Sequence, residues 1–223
     1  MSSTIVGLPP AGIDPYRVGR TGGGRSEPPR RRETGPAPKR IVVTYGFWIF
    51  LLSDIVMFSA FFAAHAVLSR EYAGGPTGHE LFDIPNVAIE TALLLASSFA
   101  CGLAAVAMEA RSMLLTQLLL LLTGLLGFGF LAMEATEFAG LVARGAGPDR
   151  SAFLSSFFAL VGCHGLHVTA GLLWLGTMMA QLLVKGFVPR VYRRMLCFNL
   201  FWHALDIIWV AIFTFVYLIG AGA

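Results

Sequence analysis

Long apolar runs separated by short polar clusters set the pattern of this chain. Residues 151–184 contain no Asp, Glu, Lys or Arg over 34 positions. At about 1.5 Å per residue such a run, if helical, exceeds the roughly 30 Å core of a bilayer. Between Arg40 and Arg70 lie 29 residues whose only formal charge is Asp54. The whole pattern predicts five spanning helices over about 44–68, 87–107, 113–141, 151–184 and 195–219. Gly74, Gly75, Pro76, Thr77, Gly78 and Pro85 mark the first connection as turn residues. No segment alternates with the period of two that a barrel strand needs. The fold class is therefore all-α, a polytopic five-helix transmembrane bundle over residues 41–223.

Composition agrees, with 56% hydrophobic residues and a mean hydropathy of +0.72, well above a globular average. Residues 1–40 differ: they carry seven of the eleven prolines, eight of the sixteen basic residues and few large apolar side chains. Such a segment buries too little surface to offset its ordering entropy, and a disordered cytoplasmic tail is expected. Ala64-His65-Ala66 resembles a signal-peptidase site, but the long preamble, the overlong apolar run and Asp54 inside it argue against cleavage. Cys101, Cys163 and Cys197 lie in or beside apolar runs without CxxC spacing, as buried free thiols would.

The net charge of +3 does not call for nucleic acid, because the position of the basic residues accounts for it. The tail, Arg111 and the connection with Lys185, Arg190, Arg193 and Arg194 hold 13 of them, against 3 at Arg70, Arg144 and Arg150. The positive-inside rule then puts the N-terminus in the cytoplasm, and five crossings put the C-terminus outside.

Ionisable groups at membrane depth need a partner, a wet cavity or a neutral form. The candidates are Asp54, Glu90, Glu134, Glu137, His164, His167, His203 and Asp206, with His65 nearby. Asp54 falls about 16 Å along the first helix, near mid-bilayer, either as packing glue or as a proton-exchanging group. His164 and His167, three apart on one helical face, should meet protein rather than lipid, and Gly162, Gly165 and Thr169 offer a neighbour close approach. His203 and Asp206 share a face and can pair with each other. Glu134-x-x-Glu137, His164-x-x-His167 and His203-x-x-Asp206 together raise a di-metal bundle centre. Against it, no helix has Glu-x-x-His, and the helical rise puts Glu134 about 33 Å above Ser112 but His203 only about 14 Å above Arg194. No metal ligand set is expected on that reading, and Trp48, Trp174, Trp202 and Trp209 are read as core and interface anchors.

Beyond the tail, the order of several stretches is distinctive. They are Phe47-Trp48 with Ser53-Asp54 and Phe58, Gly74-Gly75-Pro76-Thr77-Gly78, Glu90-Thr91-Ala92-Leu93-Leu94-Leu95-Ala96-Ser97-Ser98 and Met133-Glu134 with Glu137-Phe138. Gly147-Pro148-Asp149-Arg150-Ser151, His164-Gly165-Leu166-His167-Val168 and Phe201-Trp202-His203 with Asp206 and Trp209 complete the set. Over about residues 45–219 the chain resembles subunit III of the haem-copper terminal oxidases, and most closely the five-helix subunit III of cytochrome bo-type ubiquinol oxidase.

That resemblance implies a non-catalytic subunit in a bacterial inner membrane, with no haem, copper or other cofactor of its own. It implies haems and copper in a partner subunit I, further partners in subunit II and a small subunit IV, and phospholipid in a cleft between the first two helices and the rest. The complex would be a proton-pumping ubiquinol oxidase reducing oxygen to water, this chain supporting assembly and turnover. Asp54 matches a helix position that is Glu in the seven-helix cytochrome c oxidase form, the first alternative. The second is an autonomous transporter or di-metal membrane enzyme; a transporter should show an inverted repeat, and none is visible.

Overall fold

The computed structural model describes residues 39–72 and 83–222. The expected disordered tail, up to residue 38, and the turn at 74–78 lie outside the described residues. The elements are α1 (Lys39–Leu68), α2 (Ile84–Glu109), α3 (Met113–Ala143), α4 (Ala152–Lys185) and α5 (Pro189–Ile212). The last helix continues through a π-wound segment, Phe213–Leu218, and a final turn, Ile219–Gly222. Five helices are long and apolar enough to cross a membrane, and no strand occurs among the described residues.

The helix starts differ most from the sequence expectation, and polar residues explain why. α1 begins at Lys39, five residues before the predicted Thr44, and α5 at Pro189, six before the predicted Met195. Basic residues read as a connection, yet at the water interface they sit comfortably in a first helical turn. Pro85 and Pro189 each stand at the first or second position of a helix, where the missing N–H would have had no partner anyway. Pro85 is thus a helix starter rather than a loop residue. Ser151 caps α4, its hydroxyl accepting from the Leu154 amide at 3.2 Å.

Two connections reverse the chain tightly. At Arg111 (φ 54°) the Ser112 amide reaches back to the Ala107 carbonyl, and at Gly145 (φ 74°) the Ala146 amide reaches the Leu141 carbonyl. Both are the six-to-one bond that closes a helix on a left-handed residue. The turns make α2–α3 and α3–α4 antiparallel neighbours.

α2 and α3 form the most extensive pair; α5 packs on α1, α2 and α4, and α1 touches chiefly α4 and α5. Of the five spans α1 buries the least of itself and α2 the most. Ile49, Leu52, Val56 and Val67 on α1, like Phe99, Leu125 and Phe128 on α2 and α3, are exposed, as expected of surfaces that meet lipid or an apolar partner.

The core is tied by two tryptophans spaced two turns apart on α5. Trp202 Nε1 donates to Ser97 Oγ at 3.1 Å, and that hydroxyl donates on to the Thr123 carbonyl at 2.9 Å. Trp209 Nε1 donates to Thr91 Oγ1 at 3.1 Å, which donates to the Val87 carbonyl at 2.8 Å. The Trp202 ring is flanked by Gly127 of α3 and Gly171 of α4, where a Cβ would come within 2.8 Å of it. Close approach therefore occurs there and not at Gly162 or Gly165, whose nearest neighbours would be at 3.7 and 3.9 Å. Thr169 is exposed and turns its hydroxyl back to the Gly165 carbonyl. Trp202 and Trp209 are core residues, Trp174 is half-buried and Trp48 exposed.

Candidate functional site

Antiparallel pairing of α2 and α3 brings three carboxylates together. Counted from the turn at Ala110 to Ser112, Glu90 lies about 30 Å up α2 and Glu134 and Glu137 about 33 and 38 Å up α3, so they share a level. One carboxylate oxygen from each of Glu90, Glu134 and Glu137 lies within 4.8 Å of the others. Glu90 and Glu134 are 1% and 4% exposed, and Glu137 is half-buried. Among the described residues neither Glu134 oxygen has a hydrogen-bond donor, nor have Glu90 Oε2 and Glu137 Oε1. A recess of about 410 Å³ reaches Glu90 and Glu137 past Asp83, Asn86, Thr136 and Arg144. The π-wound turn of α5 sets the Tyr217 phenol within electrostatic reach of all three glutamates, its ring against Phe157 and Trp209.

Below this cluster the histidines part company. His164 is wholly buried, stacked on Trp209 at 5.2 Å between centroids, with Phe130 and Phe58 edge-on at 5.9 and 6.3 Å. Neither of its ring nitrogens has a hydrogen-bond partner among the described residues. His167 is half-buried; its Nδ1 lies 2.8 Å from the Cys163 carbonyl, so it carries the proton, and the Phe58 ring stands edge-on at 5.3 Å. Asp54 of α1 is the acidic neighbour of His167 across the α1–α4 contact. The pair on α5 is looser: His203 Nδ1 bonds the Asn199 carbonyl at 2.8 Å, while Asp206 is within reach of Ser98 on α2 and interacts electrostatically with His203. His65 donates from Nδ1 to Ser156 Oγ at 3.0 Å, because that hydroxyl already donates to the Phe153 carbonyl.

α1 and α5 leave a groove between them. Trp48, Leu51, Ile55, Phe58, Ile207 and Ile208 line an apolar stretch of about 430 Å³. It runs past Phe62 and Ala211 into a wider mouth of about 620 Å³ that includes Ser69, Arg70 and Tyr72.

The profile of the family described as cytochrome c oxidase subunit III matches residues 37–221, which is the described bundle almost end to end. The chain belongs to that family. Among its relatives, the cytochrome bo(3) ubiquinol oxidase subunit 3 of Pseudomonas aeruginosa is 50% identical over 177 residues, covering 79% of this chain and 85% of the relative. The protein of the same name from Buchnera aphidicola subsp. Baizongia pistaciae is 46% identical over 175 residues, 78% of this chain and 90% of the relative. Quinol oxidase subunit 3 of Bacillus subtilis is 45% identical over 177 residues, 79% and 87% respectively. The family resemblance carried by the sequence motifs is thereby shown, as is a multi-pass membrane protein of a multi-subunit oxidase family.

Within this subunit III chain, the residues singled out by sequence fall into separate places. Glu90, Glu134 and Glu137 meet, whereas among the described residues no other three His, Cys, Asp or Glu side chains bring ligand atoms so close. The sequence reading compared the depth of Glu134 only with that of His203, and so missed Glu90 at the same level on the neighbouring helix. Tyr217 was missed as well, since nothing in the uniformly apolar Phe213–Leu218 announces a π-wound turn. The groove opens between α1 and a later helix, α5. Cys101 and Cys197 are buried, Cys163 is half-buried, and all three are free.

Proposed function

We propose that this chain is the non-catalytic subunit III of a proton-pumping haem-copper quinol oxidase in a bacterial inner membrane. The names of the relatives, cytochrome bo(3) ubiquinol oxidase and quinol oxidase subunit 3, support the quinol-oxidase branch. The observation that carries the non-catalytic role is the use made of the polar groups. Trp202, Trp209, Asp206 and His65 bind neighbouring helices to one another, leaving α1 and much of α2 and α3 apolar outside. A chain so built holds shape and offers a flank. Subunit I, with the haems and copper, is its main partner; subunit II and a small subunit IV complete the complex.

The α1–α5 groove takes a phospholipid. Its apolar length suits an acyl chain, and Arg70 with Ser69 and Tyr72 at the mouth suits a phosphate headgroup. The basic asymmetry orients the N-terminus to the cytoplasm and the C-terminus to the periplasm. Purification of the tagged chain in mild detergent tests the assignment. A haem-bearing membrane protein should co-purify in fixed ratio, and a stable haem-free chain recovered alone from aerobic membranes contradicts the reading.

A further inference from the structure

We propose that Glu90, Glu134 and Glu137 bind a hard divalent cation of calcium size, at the end of the bundle where α2 begins and α3 ends. Three ionised carboxylates carry three negative charges; Glu90 and Glu134 are buried and Glu137 half-buried, and burying such charges unpaired is costly. Among the described residues the cation that acts on them is Arg144, which interacts with Glu137 across the recess. One divalent ion added to Arg144 brings the buried cluster to neutrality; Asp83, exposed at the rim, stays solvated.

The donor set defines the class of ion. All three donors are carboxylate oxygens, which suit calcium, magnesium or manganese and not the soft or imidazole-loving metals. Their oxygens lie within 4.8 Å of one another. Three oxygens spread evenly around one ion lie about 4.0–4.5 Å apart for calcium and about 3.5–3.6 Å apart for magnesium. Both spacings fall inside that limit, and calcium's flexible coordination asks less of the ligands' placement than magnesium's near-ideal octahedron.

An independent observation points into the same place. Glu134 does not itself line the recess; it is only 4% exposed, neither of its oxygens has a donor among the described residues, and one of them lies within 4.8 Å of the Glu90 and Glu137 oxygens. A buried carboxylate held in that state has a use for a cation in front of it. Access is short, because Glu90 and Glu137 are each six residues from a helix end, about 9 Å of rise. Water entering past Asn86 and Thr136 fills the remaining coordination positions.

The rival neutraliser is the proton, since Glu90 and Glu134 stand close enough to share one. Equilibrium binding of radioactive calcium separates the two. The full-length chain is purified with whatever it assembles with, and stripped with a chelator. Wild type should bind one calcium per chain and gain thermal stability from it. Glu134→Gln and, at the more exposed position, Glu137→Gln should each weaken binding by at least about tenfold and lose that gain. Glu109→Gln, beside Tyr192 at the opposite end, should change neither. Equal binding by wild type and both variants would overturn the proposal. So would absence of binding to wild type, and an infrared carboxylic C=O band that Glu134→Gln removes would then show protons in the ion's place.

Discussion

Trp202 and Ser97 join α5 to α2 through an indole N–H held 3.1 Å from a hydroxyl that is itself bonded onward to α3. Because Gly127 and Gly171 flank the same ring, one side chain reports on the contact of four helices. In a bilayer the drive to associate comes from packing and interhelical hydrogen bonds rather than from hiding apolar surface, so this junction matters more than its size suggests.

Ser97→Ala strands the Trp202 N–H where no water reaches, at about 1–3 kcal/mol. Gly171→Ala adds a methyl 2.8 Å from a ring that Gly127 also approaches closely, and overpacking of this kind costs about 1–3 kcal/mol. Gly176→Ala, with open space around it, should be neutral. Thermal unfolding of the detergent-solubilised protein measures all three. A stable Gly171→Ala variant would mean that the ring is free to shift.

The five helices and their order were legible because a bilayer demands runs of a length nothing else requires. Their first turns were not, since Arg190, Arg193 and Arg194 look like a connection but occupy a helix end at the membrane surface. The meeting of Glu90 with Glu134 and Glu137 was half legible. Equal distance from the Arg111 turn carries their common level and was passed over, while which faces α2 and α3 present to each other depends on packing throughout the hairpin. Tyr217 was out of reach, because a π-wound turn changes the facing of every later side chain without leaving a mark in an apolar sequence.

Asp54 faces His167 near the middle of the first span. Asp54→Asn keeps shape and hydrogen-bonding capacity and should leave assembly and proton-to-electron ratio unchanged. Asp54→Leu withdraws the acidic neighbour of His167 and should lower the thermal stability of the assembled protein more than Asp54→Asn does. A fully assembled but uncoupled Asn variant would make Asp54 a proton-exchanging group instead.

Orientation rests on 13 basic residues against 3. A reporter fused after Ala223 should be active only outside the cytoplasm, and one inserted after Lys185 only inside. The reverse result at both positions would invert the bundle, and with it the side from which the glutamate recess is reached.

Deleting this chain and recording the reduced-minus-oxidised haem spectrum of the surviving oxidase tests the central claim most directly. The account predicts that assembly yield, sustained turnover or proton pumping falls while the spectrum of each remaining complex is nearly unchanged. Loss of haem from an otherwise intact large subunit would contradict it, because the chain would then be supplying ligands to the redox centre.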